Sequence, residues 1–426
     1  MNVFKNRNFL VLFLGRLVSN AGDSLYAVAA MWLVYDLGGS AFYTGLAGFL
    51  TLLPQSLQFL AGPLVDRWQL KWTLVISQLI EFLLIITIPI CYYLGLLNVS
   101  VVLTIMPLAT LVNQVAYPAQ SASLPKILTK EELVKGNAAF SFAYQGVDLT
   151  FNAVAGILVA AVGAVSLYII DSITFLIAAF LFLLLNVPEK EKKRNEKAKK
   201  SFKKVMRTYI SEIKEGVSVI RSSLLVKIIL GSVVANFAVG MTIAVLPVLA
   251  DTLGGSNIYG YYLAALSAGT LIGALFASWA ERYRLGIFSI VSFVIASVLW
   301  VLSSIAPWTA VSIALFGMAW IPIGMTNVLF AALLQTTIPE NLLGRVFSVL
   351  MSINTIAMPI GSLIGGTLTE WIGSQIVFGF IALGIAVVPI YWFFNKNLRN
   401  LPAIKNIDAA YIGLRLSDNV EFTKNN

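Results

Sequence analysis

Residues 14–43, LGRLVSNAGDSLYAVAAMWLVYDLGGSAFY, decide the fold, because residues 230–259, LGSVVANFAVGMTIAVLPVLADTLGGSNIY, repeat their landmarks 216 positions later. Leu-Gly opens both stretches, an asparagine follows six positions after the leucine, and Leu-Gly-Gly-Ser with a tyrosine closes both. Further matches stand 209 positions apart: Glu131 with Glu340, Leu133 with Leu342 and Gly156 with Gly365. Ordered matches at a near-constant offset indicate a duplicated unit. The sequence therefore predicts two related halves.

The composition places the chain in a bilayer. Of its 426 residues 58% are hydrophobic and 12% are charged, whereas about a quarter of the residues of a soluble domain are charged. Long apolar runs recur with short gaps, and about 20 such residues span a membrane as a helix. We therefore expect an all-α integral membrane protein with twelve transmembrane helices. Their predicted bounds are 9–36, 41–64, 72–95, 99–121, 137–162, 165–187, 224–250, 257–280, 286–306, 308–335, 346–371 and 374–395.

The basic residues predict the topology independently of hydropathy. Of 29 lysines and arginines, all but Arg16 and Lys227 lie in the two termini or in connections on the same side as the termini. The opposite connections hold none. Since lysine and arginine favour the cytoplasmic side, we expect a multi-pass cell-membrane protein with both termini in the cytoplasm.

Twelve of the basic residues lie between the sixth and seventh helices. Their position beside the membrane favours anionic lipid headgroups over nucleic acid as partners. Apolar residues from Phe202 to Ile220 recur at helical spacing and predict an amphipathic surface helix, while Glu189 to Lys200 could equally be a solvated linker. The predicted domains are an N-terminal bundle (1–187), a basic linker (188–222), a C-terminal bundle (223–395) and a cytoplasmic tail (396–426).

A loop motif connects the second and third helices. Gly62-Pro63-Leu64-Val65-Asp66-Arg67, followed by Lys71, resembles the loop signature of the major facilitator superfamily, and the resemblance extends over nearly the whole chain. Residues 344–348, 357–361 and 170–175 look like the macrolide-efflux and siderophore-exporter branch. The resemblance implies two pseudo-symmetric six-helix bundles. Parallel repeats of this kind place a substrate cavity between the bundles at mid-depth.

The loop motif also predicts a gate. Asp66 can accept backbone N–H groups at a neighbouring helix N-terminus, and Gly344 and Arg345 at the start of the eleventh helix are its expected partners. By the repeat, Glu281 should meet the start of the fifth helix near Gly136. The alternative is a loop that only sets topology. The predicted gating residues are Gly62, Asp66, Arg67, Lys71, Glu281, Arg282 and Arg345.

Ionisable residues inside the membrane are costly and point to function. Arg16, Asn20 and Asp23 form one stripe on the first helix at i, i+4 and i+7. In the family fold this helix lines the cavity, so the resemblance implies proton coupling by Asp23, with Arg16 as its charge partner or a substrate anchor. Asp148 is the second proton-coupling candidate, and it could instead pair with Arg16. A purely structural Arg16–Asp23 pair is the alternative. Glu81 lies midway along the third helix, which the family fold places at the outside of the bundle, so the resemblance implies a structural role.

Two departures from the family pattern bear on coupling. Ala109 stands where related drug:proton antiporters carry an arginine, and Phe151-Asn152 stands where they carry a glycine-proline pair. Arg16 would then have to substitute for that arginine. Aromatic, methionine and amide groups suit an amphipathic ligand, although aromatic residues in membrane helices often serve packing alone. The predicted substrate-binding residues are Asn20, Asn113, Gln114, Tyr117, Tyr144, Asn236, Phe237, Met241, Trp320 and Asn327.

The sequence shows no phosphate-binding glycine loop, catalytic triad or metal cluster. We therefore expect that the protein has no enzymatic activity, binds no cofactor and has no metal site. The leading hypothesis is a monomeric secondary active transporter that exports a small amphipathic compound, such as a macrolide or a siderophore-like metabolite, by proton antiport with alternating access. The alternatives are a lipid or lysolipid flippase on the same fold and a non-transporting membrane receptor or scaffold.

Overall fold

A computed structural model describes residues 3–56, 69–186, 211, 213–214, 216–338 and 340–413, and these form helices and turns without strands. Ten of the described helices are long and apolar enough to cross a membrane. A π-helical turn, Phe142–Gly146, joins the two segments of the fifth helix. The helices are α1 (Arg7–Gly38), α2 (Ala41–Ser56), α3 (Leu70–Tyr93), α4 (Val99–Ile127), α5 (Lys130–Ser141 and Val147–Val162), α6 (Ala164–Leu183), α7 (Leu225–Leu253), α8 (Ser256–Ala280), α9 (Leu285–Ile305), α10 (Thr309–Thr337), α11 (Glu340–Ile372), α12 (Ser374–Phe394) and the short α13 (Lys396–Arg399).

Local sequence sets several helix ends. Asn6 caps α1, since its side-chain oxygen accepts hydrogen bonds from the backbone N–H groups of Asn8 at 3.0 Å and Phe9 at 3.2 Å. Asn98 caps α4 in the same way, through the N–H of Val101 at 3.1 Å. Asparagine suits both positions because its short side chain satisfies amides that have no partner within the helix.

Glycine marks the same turn in each half. Gly163 precedes α6 with φ 81° and ψ 153°, and Gly373 precedes α12 with φ 86° and ψ 151°. A positive φ of this size is accessible to glycine at little steric cost. The two halves therefore make the same bend before their last long helix, a local trace of the duplication.

The helix packing repeats between the halves. In the N-terminal half α1 packs on α5 and α6, α3 packs on α4 and α6, and α2 packs on α4. In the C-terminal half α7 packs on α11 and α12, α9 on α10 and α12, and α8 on α10. Each of these contacts in one half thus has its counterpart in the other. The predicted fold class is confirmed: twelve membrane helices in two pseudo-symmetric six-helix bundles.

The bundles meet through α2 against α11 and through α5 against α8, which are equivalent pairs. Glycines allow both contacts. A Cβ on Gly156 would overlap the backbone of Gly260, and one on Gly45 would lie 2.9 Å from the Cα of Gly366. Backbones approach this closely only where side chains are absent, a device common between membrane helices.

Polar contacts close one end of the interface, called here the turn end because the α1–α2, α7–α8 and α11–α12 connections lie there. The hydroxyl of Tyr35 donates to Asp251 Oδ2 at 3.0 Å. Glu370 Oε2 accepts from the hydroxyl of Ser40 at 2.6 Å and from the N–H of Ala41 at 3.0 Å. Both contacts join the N-terminal bundle to the C-terminal bundle.

Three helices extend well beyond their predicted bounds, by more than one helical turn. The α4 helix continues to Ile127 rather than 121, α5 begins at Lys130 rather than 137, and α11 begins at Glu340 rather than 346. Hydropathy marks only the part of a helix within the hydrocarbon layer. The polar ends of these helices were therefore missed.

The first part of the predicted tail packs on the C-terminal bundle. Leu398 and Leu401 are fully buried. The N–H groups of Leu285 and Gly286, at the start of α9, donate to the carbonyls of Pro402 and Leu401 at 3.1 and 3.2 Å. Of the predicted amphipathic helix, residues 202–210 lie outside the described residues, while 216–220 are helical.

Candidate functional site

A cavity of about 470 Å³ lies between the two bundles. Six helices of the N-terminal half and two of the C-terminal half contribute to its wall, which is largely apolar with scattered amide, hydroxyl and carboxyl groups. Its lining residues are Asn20, Asp23, Tyr26, Ala27, Val28, Met31, Thr51, Leu52, Gln55, Glu81, Ile85, Met106, Ala109, Thr110, Asn113, Gln114, Tyr144, Asp148, Phe175, Ile243, Leu263, Leu266 and Ser267.

Arg16 lies beside this cavity and is buried, with 1% of its surface exposed. Its Nε donates to the hydroxyl of Tyr144 at 2.9 Å, and its Nη2 donates to Asn20 Oδ1 at 3.4 Å. The guanidinium also lies over the Tyr144 ring, 5.3 Å from the centroid. The Tyr144 hydroxyl in turn donates to Gln120 Oε1 at 2.6 Å. Among the described residues Arg16 Nη1 has no hydrogen-bond partner, so the cation keeps unused donor capacity.

The two predicted proton-coupling carboxylates are held by neutral donors. Asn113 Nδ2 donates to Asp23 Oδ2 at 3.0 Å. The hydroxyl of Ser24 lies 2.6 Å from Asp148 Oδ1 and 2.9 Å from the carbonyl of Asn20, and it can donate its single proton to only one of them. The predicted Arg16–Asn20–Asp23 stripe is thus not one hydrogen-bonded group. Asn20 accepts a hydrogen bond from Arg16, whereas Asp23 accepts one from α4.

Glu81 is a cavity residue, although its helix was expected at the outside of the bundle. It is 1% exposed and lines the cavity. Gln78 Nε2 donates to its Oε2 at 2.5 Å, while its Oε1 has no partner in the described part of the chain. The expectation was wrong because it followed a generic helix position; the helical spacing of Gln78 and Glu81, two polar groups on one face of an apolar helix, was the available signal.

The predicted substrate-binding residues divide into several groups. Asn20, Asn113, Gln114 and Tyr144 line the central cavity, while the side chain of Tyr117 lies outside the described residues. Asn236 and Asn327 instead line a separate cavity of about 280 Å³ inside the C-terminal bundle.

The other three predicted substrate-binding residues pack against neighbouring helices. Met241 is 7% exposed, with Gly365 against its backbone, and the backbone of Phe237 faces Gly361. Trp320 is 6% exposed and lies 5.9 Å, centroid to centroid, from Trp300. None of the three lines either cavity, as expected for the packing alternative. The cavity residues that the sequence did not single out include Thr51, Gln55, Glu81 and Ser267, with Ser24 and Gln120 behind them.

Part of the predicted gate falls outside the described structure: Gly62, Asp66, Arg67 and the side chain of Arg345 lie there. Lys71 is partly exposed in the first turn of α3, and Glu281 is exposed after α8. Arg282 Nε donates to the carbonyl of Trp279 at 2.9 Å. Gly136, the expected neighbour of Glu281, packs instead against Leu128 and Phe9. The gating role of these residues stays a prediction.

A chain with two six-helix repeats around a cavity that both line has the architecture of a multi-pass membrane transporter. The chain belongs to the Major Facilitator Superfamily, whose family model matches residues 12–362.

Relatives and solved structures agree with this assignment. The chain is 25% identical to an MFS-type transporter of Bacillus subtilis strain 168, YvqJ, over 86% of this chain and 87% of YvqJ. It is 23% identical to the multidrug efflux pump Tap of Mycolicibacterium fortuitum, over 93% of this chain and 98% of Tap. A bacterial homolog of the human lysosomal transporter Spinster, solved inward-facing and unoccupied, has a TM-score of 0.69 at 11% identity, covering 95% of this chain and 98% of that one.

Proposed function

We propose that this transporter exports a small amphipathic compound, such as a macrolide or a siderophore-like metabolite, in exchange for protons. One observation carries the proposal: Asp23 and Asp148 line a cavity between the bundles, and the buried cation of Arg16 lies beside it. Ionisable groups at this depth are costly, and they are kept where they take part in ion or substrate movement.

The cavity wall supports the substrate class. Its volume of about 470 Å³ falls within the usual range for drug-sized ligands, and an apolar wall with a few polar groups suits them. Met31 and Met106 add adaptable surface that tolerates ligands of different shape. The similarity over most of the chain to a protein known as a multidrug efflux pump points the same way.

The carboxylates support proton exchange. Asp23 accepts a hydrogen bond from an amide, and Asp148 has a hydroxyl within hydrogen-bond distance. Neither carboxylate makes an ion pair among the described residues. A carboxylate held by neutral donors can be neutralised by a proton without leaving a partner cation unpaired. A cationic substrate group near Asp23 or Asp148, or rehydration as the cavity opens, would then favour proton release.

The bundle interface supports alternating access. The polar and glycine contacts close the turn end. The basic loops support an orientation in which the opposite end and both termini face the cytoplasm. In this orientation the closed turn end faces outward. Rocking the bundles about α2–α11 and α5–α8 would break the Tyr35–Asp251 bond and open the cavity to the outside. The transporter acts as a monomer, with its basic linker against anionic headgroups.

The test is uptake of radiolabelled macrolides and siderophores into inverted vesicles that carry the chain. Acidifying the vesicle interior should drive uptake of at least one of them, and a protonophore should abolish it. Vesicles with Asp23→Asn should retain substrate binding but lose the gradient-driven part. Uptake that persists without any ion gradient would contradict antiport and favour the flippase alternative.

A further inference from the structure

A third cavity, which shares no lining residue with the central cavity, lies where the linker, the C-terminal bundle and the tail converge. Its volume is about 740 Å³. We call it the junction cavity. It is built from the end of the linker, the first turn of α7, the start of α13 and the last described residues of the tail. Its lining residues are Arg221, Ser222, Ser223, Leu224, Val226, Lys227, Lys396, Asn397, Asn400, Tyr411, Ile412 and Gly413.

The junction cavity has one sign of charge. Arg221, Lys227 and Lys396 line it, and no aspartate or glutamate does. None of the three side chains makes an ion pair with a residue that the structure describes. Three cations around one concave surface repel one another, and this repulsion is relieved when an anion occupies the centre.

Neutral donors complete the lining. The Asn397 and Asn400 side chains, together with the hydroxyls of Ser222 and Tyr411, can donate to oxygen acceptors. Lysine ammonium groups, an arginine fork and hydroxyls together match the several oxygens of a phosphate group. The start of α7 adds to this, because its N-cap residue, Leu224, provides no side-chain cap to the first turn.

Backbone hydrogen bonds hold the walls of the junction cavity together. The N–H of Leu224 donates to the carbonyl of Ile412 at 2.8 Å, which joins the N-cap of α7 to the tail. The Ile412 side chain is 1% exposed. Arg284, before α9, donates through Nη2 to the carbonyl of Asn400 at 3.4 Å. The cavity is therefore part of the folded C-terminal bundle and does not depend on the chance positions of surface lysines.

The surroundings indicate a ligand with apolar chains. Phe394 at the end of α12 is 80% exposed, only two residues before Lys396. Leu230 is 54% exposed and lies one helical turn beyond Lys227. Exposed apolar side chains on membrane helices face lipid. The three cations thus lie at the membrane surface, next to apolar side chains that face the acyl chains of the lipid.

We propose that the junction cavity binds the phosphate headgroup of one anionic phospholipid, with its acyl chains along Leu230 and Phe394. Basic pockets at the cytoplasmic ends of membrane helices are suited to such headgroups. The bound lipid would fasten the linker to the C-terminal bundle through Arg221 on one side and Lys396 on the other. The proposal depends on the membrane orientation but not on which compound is transported.

The test is lipid retention by the full-length chain, purified in micelles that contain phosphatidylcholine and phosphatidylglycerol and examined by native mass spectrometry. The unmodified chain should retain one phosphatidylglycerol in preference to phosphatidylcholine. The variant R221Q/K227Q/K396Q should retain it about a hundredfold more weakly, because each cation near an anionic headgroup contributes roughly a fivefold gain in affinity. Conservative K227R and K396R variants should retain it.

Two controls make the outcome decisive. The variant K5Q/K126Q/K135Q removes the same charge from exposed residues that do not line the cavity and should retain the lipid. A thermal unfolding curve checks that each variant is folded. Equal loss in both triple variants, or no loss in either, would overturn the site. Displacement of the lipid by inorganic phosphate would overturn the lipid assignment in favour of a soluble phosphate compound. Each of these readouts is independent of transport.

Discussion

Tyr35 and Asp251 occupy equivalent positions in the two halves, 216 residues apart, and the hydroxyl of one donates to the carboxylate of the other at 3.0 Å. Two equivalent residues can touch only where the pseudo-twofold axis passes between them. The Tyr35–Asp251 bond therefore marks the axis at the turn end. Any rocking motion that opens this end must separate the pair.

We predict that Tyr35→Phe shifts the transporter toward the conformation open at the turn end. The change removes one hydroxyl and a hydrogen bond worth about 1 kcal/mol, roughly a fivefold change in a two-state equilibrium. Spin labels on cysteines at Leu96 and Trp308, exposed turn residues of opposite bundles, in a Cys91→Ser background, would report longer distances. Tyr92→Phe, an exposed tyrosine away from the interface, should leave the distribution unchanged; an identical distribution in Tyr35→Phe would refute the prediction.

We predict a stronger effect for Gly156→Leu. The glycine backbone lies against Gly260, and a side chain there has no space while the bundles are closed. The variant should therefore fold but fail to close the turn end, and export should be lost. The same pair of spin labels measures the conformation. Gly384→Leu is the matched control, since a Cβ at Gly384 meets nothing within 4 Å. Normal closure in Gly156→Leu would mean that the α5–α8 contact is not required.

Tyr144→Phe should destabilise the N-terminal bundle. The hydroxyl of Tyr144 both accepts from Arg16 and donates to Gln120, and its removal leaves two buried polar groups without that partner. We expect a loss of about 1–3 kcal/mol, visible as earlier thermal unfolding in detergent. Tyr261→Phe, which alters an exposed tyrosine of α8, should unfold like the unmodified chain. If the two variants were equally stable, water would have to replace the hydrogen bonds that the Tyr144 hydroxyl makes with Arg16 and Gln120.

Asp148→Asn should uncouple transport from protons while preserving the site. Asparagine retains an oxygen that can accept from Ser24 but cannot exchange a proton. Substrate binding should persist, whereas substrate-induced proton release, followed with a pH-sensitive dye inside inverted vesicles, should disappear. Asp36→Asn, at the exposed end of α1, is the control. Unchanged proton release in Asp148→Asn would show that Asp148 does not couple protons to transport, and Asp23 and Glu81 would remain as the candidate carboxylates.

The sequence predicted those parts of the site that lie on helices with a clear polar stripe. Asn20, Asp23, Asn113, Gln114, Tyr144 and Asp148 were all singled out and all line the central cavity. Glu81 was misplaced because the position of its helix at the outside of the bundle does not decide which way one side chain on that helix faces. Periodicity in turn shows which residues share a face but not which neighbour covers that face. For the same reason Asn236 and Asn327 were assigned to the central cavity, although the helix packing gives them a cavity of their own.

By itself the sequence determined the membrane class, the twelve-helix plan and the duplication, and it predicted the side bearing the termini. Hydropathy, charge and internal repetition are properties of the chain alone and can be read without knowledge of its contacts. The tertiary structure alone decided that Tyr35 meets Asp251, that Asn113 rather than Arg16 holds Asp23, and that the tail closes a basic cavity against the linker. These depend on the rotation and spacing of packed helices. Such quantities arise from side-chain fit between residues distant in sequence, and no local pattern encodes them.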